Sequence, residues 1–241
     1  MRSERFEDIQ AYDIDALFKR EASSFRDERV KEISEEKLTI PFSRSGKIIL
    51  LLVPMEALAQ PKNYEMEELK TCINKIQLVE SRQAMISQES LDTRIMLDGV
   101  ICYRTDANYT KIYRNGIIET VHSLKFKDCE PNRRFLPSLD MEKYLLEVID
   151  NDIRALRAMG VSGGIYCFIS FVGVKGVKLG VEPNLKDPDS FAGQPLPNDI
   201  VLIPETIFNE DIEDITKNLR KSIDMIWNAF GFKKSLHFRN I

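Results

Sequence analysis

Seven cations fall between residues 104 and 134: Arg104, Lys111, Arg114, Lys125, Lys127, Arg133 and Arg134. Against them stand the four acids Asp106, Glu119, Asp128 and Glu130, and Tyr103, Tyr109, Tyr113 and Phe126 interleave. Cations that neutralise phosphates beside rings that stack bases are what single-strand nucleic-acid binding uses. The same residues have a plainer reading, in which strand tyrosines fill a core or pair across strands and the cations are solvated. The sequence leaves both readings open.

Elsewhere the chemistry thins out. The two histidines, His122 and His237, have no Gly-x-Ser-x-Gly elbow to serve. Gly160-Val161-Ser162-Gly163-Gly164 follows a helical pattern and precedes a strand pattern, the reverse of a phosphate-binding loop. Gly173–Gly180 carries Lys175 and Lys178, but no helix start follows, so a turn or bulge is expected. Cys72, Cys102, Cys129 and Cys167 lack ligand spacing, and Cys102 and Cys167 read as small buried hydrophobes. Asp98 before Gly99 reads as a turn residue, and Glu205 as a residue at the entry to the last helix. No catalytic residue, metal site or cofactor is assigned.

The elements that must position the basic and aromatic cluster are legible from periodicity. Asn115-Gly116 between β-branched runs predicts a hairpin of strands 109–114 and 117–122 joined by a two-residue type I′ turn. Strand 99–104 leads into it. Residues 47–53 and 165–172 are near-continuous apolar runs, as expected of strands buried on both faces. Helices are predicted over 13–36, 65–80, 139–159 and 210–230, with Asp13 and Ser138 as N-caps and Gly160 and Gly231 as stops. A Pro-rich loop over 180–198 precedes a short strand at 200–203. Clustered strands and hairpins predict an α+β fold with a mostly antiparallel central sheet flanked by helices. The domain reading is a charged N-terminal helix, 1–36, and a single α+β domain, 37–241.

Composition sets outer bounds. The chain has 241 residues, 43% hydrophobic, with a formal net charge of −4. Residues 1–36 hold 7 Lys/Arg and 11 Asp/Glu, so they carry the whole imbalance and the rest of the chain is neutral. A long-range electrostatic funnel for phosphate backbones is therefore excluded, though a local patch is not. No apolar run reaches the length of a membrane span, and the charged N-terminus does not read as a signal peptide. Cysteine usage fits a reducing cytoplasm.

Several segments together carry a resemblance. They are Phe25-Arg26-Asp27-Glu28-Arg29, the apolar run Ile49–Pro54 ending Val-Pro, Leu97-Asp98-Gly99, Tyr113–Glu119, Leu136-Pro137-Ser138, Gly173-Val174-Lys175-Gly176, Leu202-Ile203-Pro204-Glu205, and Trp227–Gly231. In that order, from about residue 13 to 238, they resemble the C-terminal portion of bacterial proteins that begin with a Schlafen-type, AlbA-like DNA-binding domain. That domain would lie before residue 1, so no DNA-contacting or nuclease residue carries over. The resemblance implies a non-enzymatic accessory, regulatory or sensory domain in a nucleic-acid-associated bacterial system, in regulation or phage defence.

Two alternatives stand beside it: a nucleic-acid-binding module using hairpin 103–134, and a hydrolase or nuclease lacking a standard motif. A protein partner or self-association is expected, with nucleic acid reached through a partner domain and no membrane. Helix 13–36 is expected to pack its stripe of Ile14, Leu17, Phe18 and Phe25 and to turn Arg26 and Arg29 toward a partner.

Overall fold

The two apolar runs lie side by side. In the computed structural model, β1 (Lys47–Pro54) and β8 (Ile165–Val172) pair antiparallel over their whole length, and every residue of both is buried. The structure describes residues 2–41, 46–59, 61–76, 92–104, 107–130, 133–181, 192–209 and 214–237; the side chains of 2–13, 127–130 and 133 lie outside that description.

Around this pair the sheet grows by antiparallel neighbours. β5 (Ile118–Ser123) joins the far side of β1, followed outward by β4 (Asn108–Tyr113), β3 (Gly99–Arg104) and β2 (Asp92–Met96). On the other side β8 is flanked by β10 (Ile200–Leu202) and β11 (Thr206–Phe208), completing eight strands. A second, three-stranded sheet joins β6 (Lys127–Glu130), β7 (Arg133–Pro137) and β9 (Lys178–Gly180), with β7 and β9 parallel. The fold is α+β with a mostly antiparallel sheet.

Burial on both faces explains the missing alternation in β1 and β8, because each face is covered by helices. One face packs against α1 (Arg2–Ser34), through Ala22, Val30 and Ile33 onto Ile49, Leu51, Val53, Val121 and Phe168. The other packs Ile48, Leu50, Leu52, Ile118, Cys167, Ile169 and Phe171 under α3 (Met66–Ile73), α4 (Ser138–Ala158) and α5 (Ile215–Ala229). The short α2 (Met55–Ala59) follows β1 directly.

Several expectations shift. α1 runs upstream through Arg2, so Asp13 is not its cap; of the expected stripe, Ile14 and Leu17 remain about half exposed. The face that docks is instead Phe18, Ala22, Phe25, Arg26, Arg29, Val30 and Ile33, which share one side at helical spacing but include two arginines. Pro137, not Ser138, takes the N-cap position of α4, while Met159 and Gly160 (φ +84°) end it as expected. α3 ends at Ile73, and positions 77–80 of the predicted helix lie outside the described residues. α5 starts behind Asp214, whose carboxylate accepts the Lys217 N–H at 3.0 Å; positions 210–213 lie outside the described residues. Glu205 stands between β10 and β11, paired with Lys19 of α1, and not at a helix entry.

The hairpin forms, with a different turn. Tyr113 N–H donates to Ile117 C=O at 2.8 Å and Gly116 N–H to Tyr113 C=O at 2.9 Å, so three residues, Arg114 to Gly116, form the loop. Gly116 has φ +86° while Asn115 does not enter the positive region, which excludes type I′. The reason is local. Arg114 donates its N–H to Asp98 C=O at 2.9 Å and accepts from Tyr64 N–H at 2.8 Å, and these bonds hold the loop against its neighbours. Asn115 instead accepts the Ile117 N–H on its side chain at 3.2 Å. A Cβ on Gly116 would meet the Tyr64 ring at 3.0 Å. Gly116→Val is therefore expected to lower stability by about 1–2 kcal/mol, from unfavourable positive φ for a β-branched residue plus the ring contact. An unchanged urea midpoint in that variant would contradict the turn assignment.

Candidate functional site

The register of β3, β4 and β5 sends the basic and aromatic cluster in two directions. Tyr103, Tyr109, Lys111 and Tyr113 alternate onto the α1 face with Glu119 and Ile117, and Arg104 and His122 point to the opposite face. On the α1 face the residues meet beneath a helix, not in solvent. Glu119, fully buried, accepts Arg29 Nε at 2.6 Å and Nη2 at 3.0 Å on its two oxygens. Tyr109 donates its hydroxyl to the same carboxylate at 2.7 Å, and Tyr113 at 3.4 Å. Arg29 also pairs with Glu32.

Burial pulls the Arg29 guanidinium down, but its bond and charge contact with Glu119 more than offset this, so it is held above its ordinary range. Burial first, and then the Glu119 charge, push the Tyr109 and Tyr113 hydroxyls up, so both remain protonated donors. Lys111, also buried, donates to Asp98 at 2.7 Å and lies 4.2 Å from the centre of the Tyr113 ring.

Of the residues expected to face nucleic acid, Tyr109 and Lys111 are thus interior and Tyr113 is half-buried, and Arg26 and Arg29, expected to face a partner, are half-buried as well. Tyr109 has no exposed surface on which a base could stack, Lys111 is spent on Asp98, and Arg29 is spent on Glu119. Arg26 lies 5.1 Å over the Phe168 ring and pairs with Asp27, with its side chain 14% exposed. The physical reason is the same throughout: α1 covers this face, so its polar groups must pair with one another. Arg114 donates to Leu97 C=O at 3.1 Å beside the hairpin turn. Arg104 is half-buried on the opposite face. Lys127 and Arg133 lie in β6 and β7, and their side chains are outside the described residues.

What remains of the cluster gathers around a cleft on the α4 side. Its volume is about 80 Å³, and Ile48, Leu124, Phe126, Leu136 and Met141 form apolar walls. His122 and Tyr144 line it with their rings 4.4 Å apart, and Lys125 and Asp140 also border it. Arg134 stacks 5.0 Å over Phe126 and donates to Lys175 C=O at 3.0 Å.

Next to the cleft runs a buried polar seam between α4 and the sheet. Cross-strand partners Asn108–His122 and Thr110–Thr120 face α4 in succession. Thr110 and Thr120 hydroxyls are 3.0 Å apart, and Thr120 donates to Asp152 Oδ2 at 3.0 Å. Three buried polar atoms here have no hydrogen-bond partner among the described residues: Asn108 Oδ1, Tyr144 Oη and Asp152 Oδ1. Burial pushes the Asp152 carboxyl up to about 7, with the Thr120 bond pulling the other way, and burial followed by Asp152 raises the Tyr144 hydroxyl.

The sequence reading missed both the Glu119 knot and the seam. Glu119 sits among Ile117, Ile118 and Val121, and an acid inside so apolar a strand is itself a signal for a buried partner. Asp152 in the apolar stripe of α4 is a second such signal.

Two other clusters pair among their own members. Ser138 Oγ lies 2.8 Å from His237 Nε2, a pairing invisible in sequence, and Ser138 is 1% exposed. Glu142 beside it is occupied by Trp227 Nε1 and Ser235 Oγ. The open cleft of about 390 Å³ between α3 and the end of α4 carries Glu67 and Glu68, which bond Lys70 and the Glu65 N–H. No group of three or more His, Cys, Asp or Glu able to hold a metal occurs among the described residues, and no described helix is long and apolar enough to cross a membrane. Comparison with protein-family models and with curated proteins returns no match.

Proposed function

We propose that this chain is a non-enzymatic accessory and sensory domain of a nucleic-acid-associated bacterial system, acting in regulation or phage defence. The association with nucleic acid rests on the ordered motifs that resemble the Schlafen-type AlbA-like proteins. The sensory role rests on one observation. The α4-side cleft combines apolar walls with the His122 and Tyr144 rings, next to buried polar atoms that have no hydrogen-bond partner among the described residues. Apolar walls with a few convergent polar groups are the usual make-up of a small-molecule site. Unpartnered buried acceptors and hydroxyls are rare enough to ask for a partner.

Phenol and indole, each an aromatic body with one polar hydrogen, are suitable probes. Titrated into the full chain, they are expected to shift NMR signals of His122, Phe126 and Tyr144, and Met141→Trp, which fills the cleft, is expected to abolish the shifts. Absence of shifts at those residues in the folded wild type would refute the sensory reading.

One observation favours a nucleic-acid module: Arg134 over Phe126 beside Lys125 places two cations and a ring on one surface. Titration with a single-stranded oligonucleotide at low and high salt separates the readings. Salt-dependent binding lost in Arg134→Glu would move the function to that module.

A further inference from the structure

The two edges of the large sheet are built differently. The edge beyond β8 is protected. β10 pairs through Leu202 with Ser170 and β11 through Thr206 with Cys167, so three residues, Ile203 to Glu205, stand opposite two. This extra residue, together with Pro204, breaks the edge into two three-residue pieces. Short strands, bulges and proline are the standard means of blunting an edge.

β2 has no bulge and no proline, and its two charges, Asp92 and Arg94, are of opposite sign. It pairs with β3 without a bulge over five residues, and among the described residues its outer side has no strand partner. Asp92, Thr93, Arg94 and Ile95 are all exposed, Ile95 at 51%, and Leu97 beyond the strand is 94% exposed. Asp92 and Arg94 lie on one face of the sheet, opposite Tyr103 and Ile101, and Arg94 rests 5.7 Å from the Tyr103 ring centre.

We propose that β2 is a dimerisation edge, on which a second copy of this chain pairs its own β2 antiparallel about a twofold axis through Thr93. Charge selects both the partner and the register. Two copies meeting with the same sheet face on the same side must have their twofold at a residue. An axis at Asp92 sets carboxylate against carboxylate, and an axis at Arg94 sets guanidinium against guanidinium. Both arrangements are destabilising across a strand pair, and an axis at Ile95 sets Arg94 against Met96 and forms no ion pair. An axis at Thr93 places Asp92 opposite the partner's Arg94 twice, and threonine opposite threonine, a favourable cross-strand pair. The contact is isologous, so it closes as a dimer and leaves the protected β10–β11 edges outermost. Three residues a side, Asp92 to Arg94, pair directly among the described residues, so the interface is small, and the dimer forms only toward the upper end of the micromolar range and weakens with salt.

Sedimentation velocity of the full chain from roughly 5 to 200 µM tests this. The wild type is expected to pass from monomer to dimer over that range. Asp92→Arg and Arg94→Asp, both at exposed positions, are expected to fold as the wild type by circular dichroism and to remain monomeric. An equimolar mixture of these two variants is expected to form a heterodimer, because every cross-strand pair is again of opposite sign. The double variant Asp92→Arg/Arg94→Asp is expected to recover the homodimer. A wild type that stays monomeric, a single reversal that still dimerises, or single variants that fail to associate when mixed would each overturn the proposal.

Discussion

Replacing Glu119 with Leu is expected to lower stability by about 3–5 kcal/mol, the cost of leaving a buried charge without its counterion. Glu119 has no exposed surface and receives both Arg29 bonds and the Tyr109 and Tyr113 hydroxyls. Without it, the Arg29 guanidinium keeps only Glu32, which is partly solvated, and two tyrosine hydroxyls lose their acceptor. Arg29→Met leaves the carboxylate buried and is expected to cost a similar amount. The double variant Arg29→Met/Glu119→Leu is expected to lose much less than the sum, since apolar side chains of similar volume can replace a buried pair at little net cost. Urea unfolding of the four proteins gives the coupling directly. Single variants each within about 1 kcal/mol of wild type, or a double equal to the sum, would show that the knot does not fasten α1.

Ile169→Asp is expected to be at least as damaging, at about 4 kcal/mol or more, with little soluble protein recovered. Ile169 lies on β8 opposite Leu50, 2% exposed, in the core layer beneath α4 and α5. Its cross-strand neighbour is Leu50, with Cys167 and Phe171 on the same face of β8, so an introduced carboxylate enters apolar surroundings. Ile169→Val, which removes one methylene, serves as the control and should cost about 1 kcal/mol. Equal unfolding midpoints for the Asp and Val variants would place Ile169 at the surface and contradict the layer assignment.

Periodicity made the central strands and the three helices of the α4 side legible, because each buries a stripe or a face with little polar content. β1 and β8 needed nothing beyond their apolar runs. What escaped were elements without that signal. β2 is exposed from Asp92 to Ile95, so Asp92-Thr93-Arg94 shows no buried face to detect. β6, β7 and β9 are three to five residues long and form a small separate sheet. The docking face of α1 was misread for a different reason. Arg26 and Arg29 are charged, and charge on a helix normally marks the solvent side, yet here each is matched by an aromatic ring or an acid from the sheet. The same event explains the fate of the cluster at 104–134. Tyrosines and lysines alternating along strands look alike whether they await a ligand or a covering helix, and only the position of α1 decides between them.

That position has a consequence for how the chain is made. α1 is synthesised before the surface it covers: its seat includes Glu119 and Phe168, and the strands that carry them emerge long after Ile33. At ribosomal speeds of about 5–20 residues per second, the interval between Ile33 and Ile165 lasts roughly 7–26 s. Until β5 emerges the Arg29 guanidinium has no Glu119 to meet, and until β8 follows the seat of Ala22, Val30 and Ile33 is incomplete. Nascent chains of this protein are thus expected to be clients of ribosome-associated holding factors through their first helix, with release timed to the arrival of β8.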